Sequence, residues 1–264
     1  MKSKQTLLPY LYSIVTIGCT FFIGQVILWC SPHGTNMWTS ILFIFMNLIP
    51  MLLAFVFMRL SGEISGIWQF IKAAFPIREN WYAFAAAVLV PAVYYGVSLF
   101  LGNVTFTGSP FSAVIAYFPW TLLQGGLEEV GWRWYLQEHI AIKRSFVLKM
   151  LVISLIWFVW HFPIYRLPWV TTGSSNYLVF YLMILGNTFT FGAVKELSRG
   201  SLPCIAAHML IDTAAVAMLV GSDLMMIAVL AGVEILLSIL VVTLFKKNYK
   251  HHRGLLSPWR KVFP

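Results

Sequence analysis

Residues 38–58 read WTSILFIFMNLIPMLLAFVFM, a run with no charged side chain. A helix needs roughly 20 apolar residues to cross the hydrocarbon of a bilayer, and this stretch supplies them. Similar runs recur at about 7–30, 82–101, 112–136, 147–163, 177–194, 202–220 and 224–245. The pattern predicts an all-α, polytopic membrane protein of about eight transmembrane helices. Composition agrees: 59% of the 264 residues are hydrophobic, 10% are charged and the mean hydropathy is +0.80. Soluble domains carry about 25% charged residues, so this alphabet cannot build a water-facing surface. The chain is expected to form a single membrane domain over 1–264. Its N-terminal part, 1–111, holds about three spans, a core follows at 112–220, and 221–264 is a last span with a basic tail. The connection 59–81 mixes Trp68, Phe70 and Ile71 with Lys72 and Arg78 and reads as an interfacial amphipathic segment.

The placement of charge sets the orientation. With eight spans, every Lys and Arg except Arg166 falls on one side of the membrane. Cytoplasmic loops are enriched in these residues, so both termini are expected in the cytoplasm and the protein in the cytoplasmic membrane. The net charge of +9 is therefore no sign of a nucleic-acid partner. Lys246, Lys247, Lys250, Arg253, Arg260 and Lys261 cluster beyond the last span. They read as a topology signal and a contact for anionic lipid. The three scattered cysteines make no disulfide framework.

Charged residues within apolar spans cost about 2.5–3.5 kcal/mol each on insertion scales, so their positions carry information. Glu128, Glu129 and Arg133 lie in GGLEEVGWR at 125–133, His161 in WFVWHFP at 157–163, and His208 and Asp212 in PCIAAHMLID at 203–212. Glu129 and Arg133 are four apart and can neutralise each other. Glu128 points elsewhere, free for other partners. A hairpin folded at Lys143–Ser145 would set Glu128 opposite His161. Two hydrolytic arrangements follow. In one, Glu128 with His161 activates a water, while His208 and Asp212 stabilise the oxyanion. In the other, Glu128, His161 and His208 ligate Zn²⁺. The sequence has no His-Glu-x-x-His, which excludes a zincin site on one helix.

Glu-Glu-x-x-x-Arg at 128–133, an aromatic-x-x-x-His at 157–161 and His-x-x-x-Asp at 208–212, in this order, resemble the CPBP family. This is the CAAX-protease and bacteriocin-processing (Abi) family, which includes the Ras-converting type of CAAX prenyl endopeptidase. The resemblance covers about residues 115–220. It implies an intramembrane endopeptidase in which Glu128 activates water beside His161, and His208 with Asp212 serves the oxyanion. Glu129 with Arg133 would be a structural pair and Trp157 a supporting residue. Trp157 stands where the family usually has Phe. Asp212 stands where Asn is common, and it would donate to an oxyanion only if burial kept it protonated. Substrates would be membrane-associated or secreted peptides and proteins. The rival readings are a non-proteolytic bacteriocin-immunity or scaffold protein on the same fold, and a proton-relaying transporter.

Overall fold

The computed structural model describes residues 2–32, 34–142, 145–170 and 176–249, with side chains described between Leu7 and Phe245. The expected turn residues Lys143 and Arg144 and the six basic residues of the tail have side chains outside this description. Among the described residues the chain is all-α apart from one pair of short strands. The helices are α1 (Lys2–Cys30), α2 (Met37–Ser61), α3 (Ile67–Ala74), α4 (Trp81–Phe100), α5 (Phe111–Thr121), α6 (Gln137–His139), α7 (Phe146–Tyr165), α8 (Tyr177–Leu197), α9 (Leu202–Ala214) and α10 (Leu224–Tyr249). The stretch between α5 and α6 is π-helical at Leu122–Gly126 and again at Val130–Leu136.

Local chemistry sets several helix ends. Asn36 and Thr39 form a reciprocal cap at the start of α2, where the backbone N–H of Thr39 donates to Asn36 Oδ1 (3.0 Å) and that of Asn36 to Thr39 Oγ1 (2.9 Å). Gly62 ends the same helix with φ of 80°, in the left-handed region where a Cβ is strained. Ser145 caps α7 by accepting from the N–H of Leu148. Proline occurs inside α1, α2, α4, α5 and α7. Membrane helices tolerate it where neighbours re-satisfy the freed backbone groups.

Six helices are long and apolar enough to cross a bilayer: Leu7–Cys30, Met37–Ser61, Trp81–Phe100, Phe146–Tyr165, Tyr177–Leu197 and Leu224–Phe245. The protein is thus a multi-pass membrane protein. Two of the eight expected spans differ from simple helices. Residues 112–136 are divided among α5 and the two π-helical stretches. The expected span 202–220 is helical only to Ala214, and Met218–Val220 then pairs antiparallel with Val104–Phe106. The apolar run after Ala214 satisfies its backbone in this strand pair rather than in another helical turn.

Helix α8 lies at the centre: 67% of its most apolar window is buried, against 33–39% in the other five. The outer helices turn side chains such as Phe22, Val88, Leu155 and Leu236 to the outside, where lipid accepts them. At one end of the bundle, the connections 62–80, 137–142 and 198–201 meet. The Glu79 carboxylate accepts from the N–H groups of Arg199 (2.6 Å) and Gly200 (2.7 Å), and Lys195 pairs with Glu138 at 2.9 Å. The strand pair ties the connections at the opposite end. Helix α3 buries Phe70 against Phe55 and Trp134 while leaving Trp68 exposed, as an interfacial segment should.

His139 adds a further clasp, half-buried and stacked on Tyr135. Its Nδ1–H donates to the carbonyl of Tyr135 (2.7 Å), and its Nε2 lies 2.7 Å from Glu63 Oε2. Burial alone would lower the His139 pKa, but the hydrogen bond and charge of Glu63 raise it above the ordinary 6.5. Burial alone would raise that of Glu63, yet His139 holds it below the ordinary 4.5. The histidine's contribution to stability is therefore full below pH 6.5 and lost as pH rises through its raised value. The glutamate's is present above pH 4.5 and lost as pH falls through its lowered one. Melting curves in detergent between pH 6 and 9 should show stability declining with pH, and declining less in Glu63→Gln. Parallel declines in the two proteins would show that the clasp contributes nothing.

Candidate active site

The interrupted helix between α5 and α6 carries the first motif. In its first π-helical stretch the N–H of Leu127 reaches back to the carbonyl of Leu122 (2.9 Å), one residue beyond the α-helical partner. This widening, together with Gly125 and Gly126, lets α9 press on the backbone. A Cβ on Gly125 would sit 2.6 Å from Asp212 Oδ2 and 2.7 Å from His208 Nε2. One on Gly126 would sit 2.9 Å from Met209 Cγ. Gly131 gives the same close approach to α2, where a Cβ would lie 2.6 Å from Pro50. Helix α9 is held from its other sides by Tyr95, whose hydroxyl donates to the carbonyl of Ile211 (3.0 Å), and by Thr121 against Thr213 (3.3 Å).

Two adjacent carboxylates then take different partners. Glu129 is fully buried; its Oε2 accepts from Arg133 Nε (2.9 Å) and its Oε1 lies 2.8 Å from His208 Nδ1. Glu128 is also buried, with Oε1 3.5 Å from the same nitrogen and Oε2 without a hydrogen-bond partner among the described residues. Asp212 Oδ2 lies 3.6 Å from the other ring nitrogen of His208, and its side chain is 34% exposed. Phe191 stacks on the His208 ring at 5.2 Å. Arg133 is enclosed by Trp157 and Phe191, its guanidinium carbon 4.9 and 5.7 Å from their ring centres. Burial of this charge is offset by Glu129 and by the two ring faces.

His161 is placed differently from the expected pairing. Its Nδ1–H donates to the carbonyl of Trp157 (2.7 Å), and its ring packs among Trp157, Trp160, Tyr165 and Phe180. Among the described residues no hydrogen bond or ion pair joins His161 to Glu128; the imidazole beside Glu128 is His208. Trp157 bridges the two histidines, 5.2 Å from His161 and 5.9 Å from His208 between ring centres.

Donor atoms of Glu128, Glu129 and His208 lie within 4.8 Å of one another. This differs from the expected ligand trio, in which His161 stood in place of Glu129. Carboxylate and imidazole are suitable zinc ligands. Here, however, Glu129 and His208 Nδ1 are bonded to each other, and Glu129 also holds Arg133, whose fixed charge stands beside the group. The three donor atoms are close enough to share an ion, at the expense of the Glu129–His208 contact.

Sequence reasoning did not single out Gln124, Tyr117 or Gln137. Tyr117 donates a hydrogen bond to Gln124 Oε1. Both line a cleft of about 570 Å³ walled by Phe43, Ile44, Trp120 and Trp169. Gln124 directly precedes Gly125 in the interrupted helix, so the cleft and the close approach of α9 share one stretch of chain. Gln137 fixes the end of the interrupted helix by donating to the carbonyl of Gly192 (3.0 Å).

No curated protein matches the chain in a sequence comparison. Residues 109–214 match the model of a protein family described as type II CAAX prenyl endopeptidase, Rce1-like. The match takes in α5, the interrupted helix, α7, α8 and α9, and with them all three motifs.

Proposed function

Since residues 109–214 carry the signature of the CAAX-protease family, we propose that this protein is an intramembrane endopeptidase with Glu128, His161, His208 and Asp212 at its centre. The observation that carries the reading is the buried Glu128 carboxylate, with one oxygen unpartnered and the other 3.5 Å from His208. A carboxylate kept within a membrane protein at this cost is a functional group by default.

Glu128 takes a proton from water as the water oxygen bonds to the scissile carbonyl carbon. The displaced electron pair rests on the carbonyl oxygen, where His208 donates to it, with Asp212 orienting the ring from its Nε2 side. Collapse of the intermediate breaks the C–N bond, and Glu128 passes its proton to the leaving amine. His161, whose Nδ1 proton is engaged by Trp157, offers Nε2 to the water. Substrates are peptides or protein segments at the membrane, and the aromatic-walled cleft beside Gly125 is their approach to the site. The core at 112–220 is the catalytic unit, the N-terminal helices at 1–111 enclose it, and the end of the bundle bearing Glu79 and Glu138 faces the cytoplasm.

The test is cleavage of synthetic peptides by full-length protein in detergent, followed by mass spectrometry. The panel includes a prenylated C-terminal CAAX-type peptide, a leader-type peptide and a transmembrane peptide. At least one should be cleaved by the wild type, and cleavage should be lost in both Glu128→Ala and His208→Ala. Undiminished cleavage in either variant would remove the assignment. Inactivity of the wild type on the whole panel would favour the scaffold reading. Activity that disappears with a strong chelator and returns with Zn²⁺ would replace the direct water activation described here.

A further inference from the structure

Arg133, Glu129 and His208 form one buried chain of contacts, in which the acid and the arginine come from the interrupted helix and the histidine from α9. Arg133 Nε donates to Glu129 Oε2 at 2.9 Å, and Glu129 Oε1 lies 2.8 Å from His208 Nδ1. We propose that Glu129 is a positioning residue for His208, fixing both the direction of the ring and the location of its proton. The proposal rests on the proteolytic reading for its catalytic meaning, although the geometry stands without it.

A carboxylate oxygen at 2.8 Å accepts from Nδ1–H, so the proton on that nitrogen stays in place and Nε2 becomes the working atom. Nε2 is the nitrogen on the Gly125 and Asp212 side, away from the ion pair. With a carboxylate behind it, the ring can hold a second proton at Nε2 and present it to an oxyanion. Phe191, stacked at an interplanar angle of 28°, prevents the ring from tipping. Distance separates the two neighbouring acids: Glu129 is 0.7 Å nearer to Nδ1 than Glu128, from 2.8 against 3.5 Å. Glu129 therefore holds the ring, which leaves Glu128 available to water. Arg133 completes the arrangement by occupying the other oxygen of Glu129, so that the carboxylate cannot rotate. The pair is thus more than a neutralised couple that lets two charges lie in lipid. It is the rear support of the catalytic imidazole, as carboxylates behind functional histidines are in other sites.

Ring-¹⁵N-labelled histidine in the full-length protein reads this directly, since nitrogen shifts distinguish a protonated Nδ1 from a protonated Nε2. Comparison with His208→Asn assigns the signal. The wild type should show a protonated Nδ1 at His208, and in Glu129→Gln that proton should redistribute toward Nε2. The amide can accept from His208 only by leaving Arg133 unpaired or facing it with its own NH₂. On a peptide cleaved by the wild type, kcat in Glu129→Gln should fall about 10–100-fold, the usual range for lost support of this kind, with KM within about threefold. A wild-type His208 protonated at Nε2 alone would overturn the proposal, and so would an unchanged His208 spectrum in a folded Glu129→Gln. Should that variant not fold, the wild-type spectrum decides by itself. The spectra need no substrate, so the expected proton position in a protein that cleaves no peptide would sustain the positioning role while the proteolytic reading falls.

Discussion

Glu128→Gln is expected to lower kcat for peptide cleavage by about 10²–10⁴-fold, the range general-base catalysis supplies, while KM and thermal stability change little. The substitution keeps shape and volume in a site with 2% exposure and removes the proton acceptor. Stability should hold because Glu128 makes no hydrogen bond that the amide would forfeit: its Oε2 is unpartnered and its Oε1 is 3.5 Å from His208. Glutamine also relieves the crowding of two adjacent carboxylates. Initial rates over a range of peptide concentrations, with melting curves of the same preparations, make the comparison. A folded Glu128→Gln enzyme working within about tenfold of the wild type would move the general base to another residue.

Gly125→Ala is the second substitution with a large expected effect, and it acts on geometry alone. The added methyl would lie 2.6 Å from Asp212 Oδ2 and 2.7 Å from His208 Nε2. The histidine cannot give way easily. The His208 ring is tied to Glu129 and stacked on Phe191, and α9 is fixed by Tyr95 and Thr121. Overpacking of this kind costs about 1–3 kcal/mol, and a shift near 1 Å at a reacting group costs about 10²-fold in rate. Cleavage should therefore fall by about 10²-fold, with a measurable loss in melting temperature. Gly96→Ala and Gly232→Ala serve as controls, because a Cβ at either meets nothing within 4 Å. Their melting temperatures should hold or rise slightly, since alanine is the better helix former. Full activity in Gly125→Ala would mean that α9 does not lie against this stretch as described.

The six long helices were legible because lipid imposes one simple demand, an unbroken apolar run, and hydropathy measures it. The division of 112–136 was not, since averaging hydropathy over a window cannot register a hydrogen bond displaced from the fourth residue to the fifth. The end of α9 was hidden for a related reason. Ala215–Val220 is apolar enough to continue a span, and its pairing with Val104–Phe106 is a contact across more than a hundred residues. Within the site, the Glu129–Arg133 pair followed from helical spacing. That Glu129, rather than Glu128, also grips His208 could not follow, because it depends on how α9 packs against Gly125 and Gly126. The expected pairing of Glu128 with His161 came from a hairpin measured along one axis. The side-chain rotamer of His161, which directs Nδ1 to the Trp157 carbonyl one turn back on the same helix, lies outside such a measurement.

Helix α9 has 13 residues, about 20 Å of length where the hydrocarbon is about 30 Å deep. Its neighbours bury most of it, so the longer helices around it, rather than α9, meet the lipid. Asp212 lies two residues from the end of that segment, close to the strand pair that follows it. On the proposed hydrolytic reading, water entering from this end of the short helix would reach the site along a path well short of the full hydrocarbon depth.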